Sequence, residues 1–262
     1  MGRKTILGHA VNKKIEFYIP PDEVKYQFQS IKPQAMYCAD SKPGLTIKCA
    51  LFFLFFIFFF LPASAHVIPF DLSKLSTTDL SWIYLKLGFT HILPLGLDHI
   101  LFVLGIFFLT PKLKPVIWQA TAFTVAHSIT LGLAMYGVIR PVSSIVEPII
   151  AFSIAFVAIE NMVVKKLKWW RILIVFCFGL IHGCGFAGVL TEVGLPANDY
   201  LLSLISFNLG VELGQISVIL LAFFLVGKWF GEKTWYHGRI VMPVSFLIAC
   251  IAVYWTVERI YS

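Results

Sequence analysis

Long apolar stretches alternate with short polar ones through most of the chain. Six apolar segments run at about 90–110, 116–138, 143–163, 170–190, 200–226 and 240–257. A bilayer core is crossed by about 20 apolar residues as a helix. Hydrocarbon gives main-chain groups no water to bond, so a spanning segment must be a helix or part of a closed barrel. These runs are continuous and show no period of two, which predicts helices. The fold class expected is all-α: a polytopic membrane protein with six transmembrane helices.

A further apolar run, Cys49–Leu61, follows Lys48 and ends in Pro62-Ala63-Ser64-Ala65-His66. A basic flank, a short apolar stretch and a small-x-small ending are the marks of a signal peptide. The expected organisation is a polar lead-in over 1–47, a signal peptide over 48–65 cleaved after Ala65, and a six-helix membrane domain over 66–262. An upstream start codon, with Met36 as the true start, is one explanation of the lead-in. The alternative is a cytoplasmic tail on an uncleaved anchor. Either way residue 66 emerges on the outer face.

Composition agrees. Hydrophobic residues make up 58% of the 262 and charged ones 13%, half the share usual in a soluble domain. The net charge of +7 needs no nucleic-acid partner, because the excess sits in short loops where it sets orientation. With His66 outside, the inner loops carry Lys112, Lys114, Lys165, Lys166, Lys168, Arg171, Lys228, Lys233 and Arg239. The outer segments carry Lys74, Lys86, Arg140 and Arg259, so nine basic residues inside face four outside. Trp169, Trp170, Trp229 and Trp235 gather at the inner ends as interfacial anchors. The localisation expected is a bacterial plasma membrane with the mature N-terminus outside. Cys177 and Cys184, without a CxxC pairing, read as small packed core residues.

Ionisable groups inside spans change the picture. Even a lenient scale charges about 2.5–3.5 kcal/mol for one at mid-bilayer. His91, Asp98 and His99 lie in the first span, in HILPLGLDH; on a straight helix all three share a face, while Pro94 and Gly96 could break it and fold His91 back. His127 lies in the second span and His182 in the fourth, in GLIHGCGFAG, whose glycines allow close helix approach. Glu147 sits near the outer end of the third span, with Glu160 and Asn161 near its inner end. Asn208, Glu212 and Gln215 form a polar face on the fifth. Taken singly, Asn161 and Gln215 read as helix-packing hydrogen-bonders and Ser128 and Ser153 as groups bonding their own helix. Taken together, imidazole and carboxylate are the ligand set of Ni, Co, Cu(II), Zn or Fe(II). A proton relay without metal is the competing use of the same groups.

The segments GFTHILPLGLDHILFVLG, FTVAHSITL, VAIEN, LIHGCGFAGVL and FNLGVELGQ resemble the HupE/UreJ family of bacterial membrane proteins, and within it the second subfamily, over about residues 84–220. The resemblance implies a nickel-type metal permease. A His-x5-Asp-His motif of the nickel-permease branch maps onto His91, Asp98 and His99, spaced here with one extra residue. His182-Gly183 matches the start of a second motif, in which Phe186 stands where that branch has another His. The family points to metal handling and leaves the ion open, nickel first, with Co, Cu, Zn or Fe beside it.

The function expected is therefore a divalent transition-metal permease or metal-delivery protein without an ATP-binding loop. His91, Asp98, His99 and Glu147 are assigned to outer capture, and His127, His182 and Glu212 to a central site supported by Asn208. Glu160 and Asn161 stand nearer the exit. The partners expected are the metal ion, the lipid bilayer, and a homo-oligomer or a periplasmic metal donor. His66, whose amine and imidazole would be exposed by cleavage, is a candidate surface ligand. The alternative function is an intramembrane metal-dependent hydrolase, which would leave Glu160 and Asn161 packed in the core away from any cavity. A metal-binding accessory subunit without transport is the third possibility.

Overall fold

A computed structural model describes residues 76–188, 190 and 199–262. The lead-in, the signal segment and His66 lie outside the described residues. Every regular element among the described residues is helical. They are α1 (Thr77–Ile92), α2 (Leu97–Leu109), α3 (Leu113–Met135), α4 (Ser143–Val163), α5 (Arg171–Gly185), α6 (Tyr200–Ala222) and α7 (Met242–Tyr261). A π turn, Phe223–Gly227, carries α6 on to Phe230, and another, His237–Val241, leads into α7.

Among the described residues four stretches are long and apolar enough to cross a membrane: Leu113–Met135, Ser143–Val163, Tyr200–Phe230 and His237–Tyr261. The pair α1 and α2, bent by 67° at its break, makes a fifth if it is one span. Helix α5 has 15 residues, or about 22 Å, short of the roughly 30 Å hydrocarbon core. Among the described residues the protein is an all-helical membrane protein with four to five candidate spans, where the sequence predicts six.

Helix α2 is the axis of the bundle. Every residue from His99 to Leu109 is buried, because the other helices surround it. A helix buried on all sides is apolar all round, and this one is so from Ile100 to Leu109. The outer helices are apolar on both faces for different reasons, one toward this core and one, through Val125, Ile129, Ile205, Leu209 and Phe246, exposed on the outside of the bundle. Three close pairs hold the ring together: α1 with α6, α3 with α5, and α4 with α7. Glycines set two of these contacts. A Cβ at Gly210 would run into the main-chain oxygen of Leu85, and one at Gly183 into that of His127. Backbone therefore lies against backbone at both crossings. On α5 the buried stripe is Arg171, Val175, Gly179, His182 and Gly183. Cys177 falls off that stripe and is exposed, and Cys184 is half-buried. Neither cysteine is the packed core residue that its apolar setting predicts.

The two ends of the bundle differ. At one end Arg171 pairs with Glu160, and Tyr236 donates to the Phe108 main-chain oxygen. At the other, Arg259 pairs with Asp98 and touches the main-chain oxygen of Glu147.

Candidate metal centre

The site begins with a helix that stops. Pro94 has no N–H to donate and disfavours helical geometry in the residue before it, so α1 ends at Ile92, and Leu93 is extended. Gly96 then lies against the end of α1: its N–H bonds the Ile92 oxygen at 3.1 Å, and a Cβ there would strike the oxygen of His91. Three residues later α2 presents His99. On an unbroken helix, eight residues would separate His91 and His99 by about 12 Å along the axis. Across the break their rings stand 4.8 Å apart, edge to face.

The third imidazole comes from the middle of α3. The His127 ring lies 6.2 Å from that of His91 and 5.9 Å from that of His99. One nitrogen from each of His91, His99 and His127 falls within 4.8 Å of the others. Nitrogens sharing a tetrahedral ion at bonds of about 2.1 Å are about 3.4 Å apart. To share one ion the nitrogens would draw in by little more than an ångström. His182, brought by the close α3–α5 contact, adds a fourth ring 5.1 Å from His99.

Hydrogen bookkeeping decides which nitrogens are free. Asn208 donates through Nδ2 to the Leu204 oxygen at 2.8 Å, so its Oδ1 faces His127 Nδ1 at 3.1 Å. An amide oxygen can only accept. His127 therefore carries its proton on Nδ1, and its Nε2 keeps a lone pair. Ser153 has one hydroxyl hydrogen, which it donates to the Ile150 oxygen at 2.7 Å. It then accepts from His182 Nε2 at 2.9 Å, which leaves the lone pair of His182 on Nδ1. The buried side-chain atoms without a hydrogen-bond partner include His91 Nε2, His99 Nε2, His127 Nε2 and His182 Nδ1. Orphaned buried nitrogens are costly, and a metal ion is a natural partner for a set of converging lone pairs.

Around this cluster the walls are aromatic. Phe123 packs 4.9 Å from His182 and Phe186 3.9 Å from His91. Phe186 occupies the position of the second motif's missing histidine, and here it covers His91. Such a shell limits water and raises the strength of any charge interaction within it. A cavity of ≈ 460 Å³ reaches the cluster, with His91, His99 and His182 on its wall and Asp98, Glu147 and Arg259 around it.

The structure divides the expected residues differently from a straight first span. His91 and His99, expected in an outer group, join His127 and His182 in one cluster. The carboxylates stay outside it. Asp98 accepts from Arg259, and Glu147 is exposed beside the cavity. The Glu212 carboxylate accepts from Thr121 Oγ1 at 2.6 Å and lines a separate groove of ≈ 510 Å³ between α3 and α6, which Asn208 also lines. Glu160 accepts from Arg171 Nη1 at 2.7 Å, and Asn161 from Arg171 Nη2 at 2.9 Å. Asn161 also donates to the Gly105 oxygen, so this group ties α2, α4 and α5 together in the core.

Three partners escape sequence reasoning. Ser153, Arg171 and Arg259 become meaningful only through residues 29, 11 and 161 positions away. Arg259 reads from sequence as a loop charge, and nothing local pairs it with Asp98.

The chain matches the family model described as HupE / UreJ protein over residues 71–259. The chain belongs to the HupE/UreJ family. That match covers every helix of the bundle, but for the last two residues of α7, and every residue of the cluster. It makes this a membrane protein of a metal-transport-related family, one linked to nickel and cobalt. Comparison with curated proteins and with solved structures gives no match.

Proposed function

We propose that this HupE/UreJ protein is a permease for a divalent transition metal of the nickel and cobalt type, acting in the bacterial plasma membrane with the Asp98–Arg259 end outward. One observation carries this: His91, His99 and His127 bring ring nitrogens within 4.8 Å of one another, and each of them, like neighbouring His182, has a buried nitrogen without a hydrogen-bond partner. Nitrogen-only ligation suits borderline ions and disfavours Mg²⁺ or Ca²⁺, which take oxygen. In this reading His91, His99 and His127 hold the ion, His182 accepts it next, and Asn208 and Ser153 fix the ring tautomers. Asp98 and Glu147 receive it at the mouth. Glu160 and Asn161 close the opposite end, and Glu212 stands beyond Asn208 without contact to the ion.

One observation favours the hydrolase as a second reading. Glu160 and Asn161 pack against Arg171 and do not line the cavity. A carboxylate beside the metal commonly takes the proton from bound water in such enzymes. Asp98, the carboxylate next to His99, is paired with Arg259, and no carboxylate belongs to the three-nitrogen group, which supports transport over hydrolysis.

Proteoliposomes separate the two. The permease takes up Ni²⁺ or Co²⁺ down its gradient, and His99→Ala and His127→Ala abolish uptake while the protein remains folded. Metal-dependent cleavage of a lipid or peptide without uptake of any ion would replace the transport reading by the enzyme.

A further inference from the structure

Among the described residues two arginines pair with carboxylates, and they are built differently. Arg171 and Glu160 have side chains 1% and 7% exposed. Arg259 and Asp98 are 22% and 24% exposed. A pair that water reaches is worth less than a fully buried one and is easier to part. The half-buried pair stands on the cavity that leads to the histidines.

The geometry at Arg259 is that of a resident cation. Its Nη2 lies 3.1 and 3.0 Å from the two Asp98 oxygens. Its Nη1 donates to the Glu147 main-chain oxygen at 3.3 Å, and its guanidinium lies 5.5 Å from the Trp255 ring centre. The carbonyl and the ring face can hold the guanidinium at the mouth once the carboxylate lets go. Asp98, for its part, is covalently adjacent to His99, so a cation seated on it is one step from the cluster.

We propose that Arg259 is the charge filter of this entry, a tethered monocation that an entering ion must displace from Asp98. The inference rests on the reading that the histidine cluster takes a transition-metal ion. Coulomb attraction scales with charge, so at equal distance a dication binds Asp98 about twice as strongly as a guanidinium. A potassium or sodium ion offers no such advantage. It also lacks the effective concentration of a cation tethered beside its site. Divalent ions pass and monovalent ions do not. Arg259 is thus a specificity-determining residue that never touches the bound metal.

The test uses the full chain in nanodiscs, with Co²⁺ as the probe, because imidazole ligation gives it visible absorption. Binding rates are compared in K⁺ and in a bulky organic cation at equal ionic strength. The wild type and Arg259→Lys show the same rate in both salts. In Arg259→Gln, Co²⁺ binds faster in the organic cation and several-fold slower in K⁺, because K⁺ now occupies Asp98. The double variant Asp98→Asn with Arg259→Gln loses that difference. Equal rates in the two salts for Arg259→Gln overturn the proposal, because simple repulsion or a structural role would leave them equal. A second measurement covers a variant that does not fold. Zn²⁺ binding to the wild type shifts the Trp255 component of emission, obtained by difference from Trp255→Phe, and Asp98→Asn abolishes that shift; an unshifted wild type overturns displacement. If wild-type protein shows no His99-dependent Co²⁺ absorption, it is the metal-site reading that fails instead.

Discussion

His91 and His99 are eight residues apart in sequence and 4.8 Å apart ring to ring, because the chain breaks between them at Pro94 and turns tightly at Gly96. The break converts two residues that a straight helix would space along a pore into two neighbours of one site. A β-carbon at position 96 meets the His91 oxygen, so Gly96→Val must open the turn and part the rings. We expect Co²⁺ affinity to fall by at least about tenfold, the scale on which loss of supporting geometry acts at metal sites. Gly188→Ala is the control, because nothing lies within 4 Å of its built Cβ. Co²⁺ titrations followed by visible absorption decide it, and equal affinities for the two variants would remove the turn from the account.

Asn208 touches no metal in this arrangement, yet it sets which nitrogen of His127 is free. Asn208→Ala leaves the His127 tautomer unfixed and is expected to weaken Co²⁺ binding by about 10–100-fold. Asn208→Asp keeps an acceptor facing Nδ1 and retains most of the affinity. Ser153→Ala has a smaller effect, since His182 lies outside the three-nitrogen group. Isothermal titration of the three variants gives the order, and an Asn208→Ala protein that binds like wild type would exclude this role.

Much of the architecture was legible because apolar runs and basic loops act over one segment at a time. The third segment, 143–163, coincides with α4. The histidines were legible as a set, since ionisable groups at membrane depth stand out one by one. Their grouping was not. A straight first span assigns His91 and His127 to different depths, and only the break at 93–96 brings them together. Carboxylates misled more, because a carboxylate can be answered by a cation from anywhere in the chain. Asp98 finds Arg259 at a separation of 161 residues and Glu160 finds Arg171 at 11. Sequence spacing alone carries neither pairing.

Glu212 distinguishes the geometric account from one built on residue type. A carboxylate in mid-span beside two histidine helices reads as a ligand, but here it bonds Thr121 and lines a groove between α3 and α6. Glu212→Gln should leave the Co²⁺ spectrum and affinity within about twofold, the size of an ordinary substitution away from a site. His127→Ala should abolish the spectrum. Loss of cobalt binding in Glu212→Gln would bring the carboxylate back into the coordination sphere.

The Arg171 group makes a prediction about stability that is independent of metal. The guanidinium is 1% exposed and bonds Glu160, Asn161 and the Gly105 oxygen. Asn161 adds a bond to that same Gly105 oxygen at 2.7 Å, and His237 Nε2 lies 3.1 Å from the Asn161 main-chain oxygen. Removing one partner of a buried pair strands the other charge and costs about 3–5 kcal/mol, whereas replacing both with apolar groups can be nearly neutral. Arg171→Met should therefore lower the melting temperature sharply, and adding Glu160→Leu should recover a large part of the loss. Thermal unfolding in detergent, followed by the monodisperse fraction, measures both. The order of the two variants is the decisive result: a double variant less stable than Arg171→Met would mean that Glu160 is held by something other than this guanidinium.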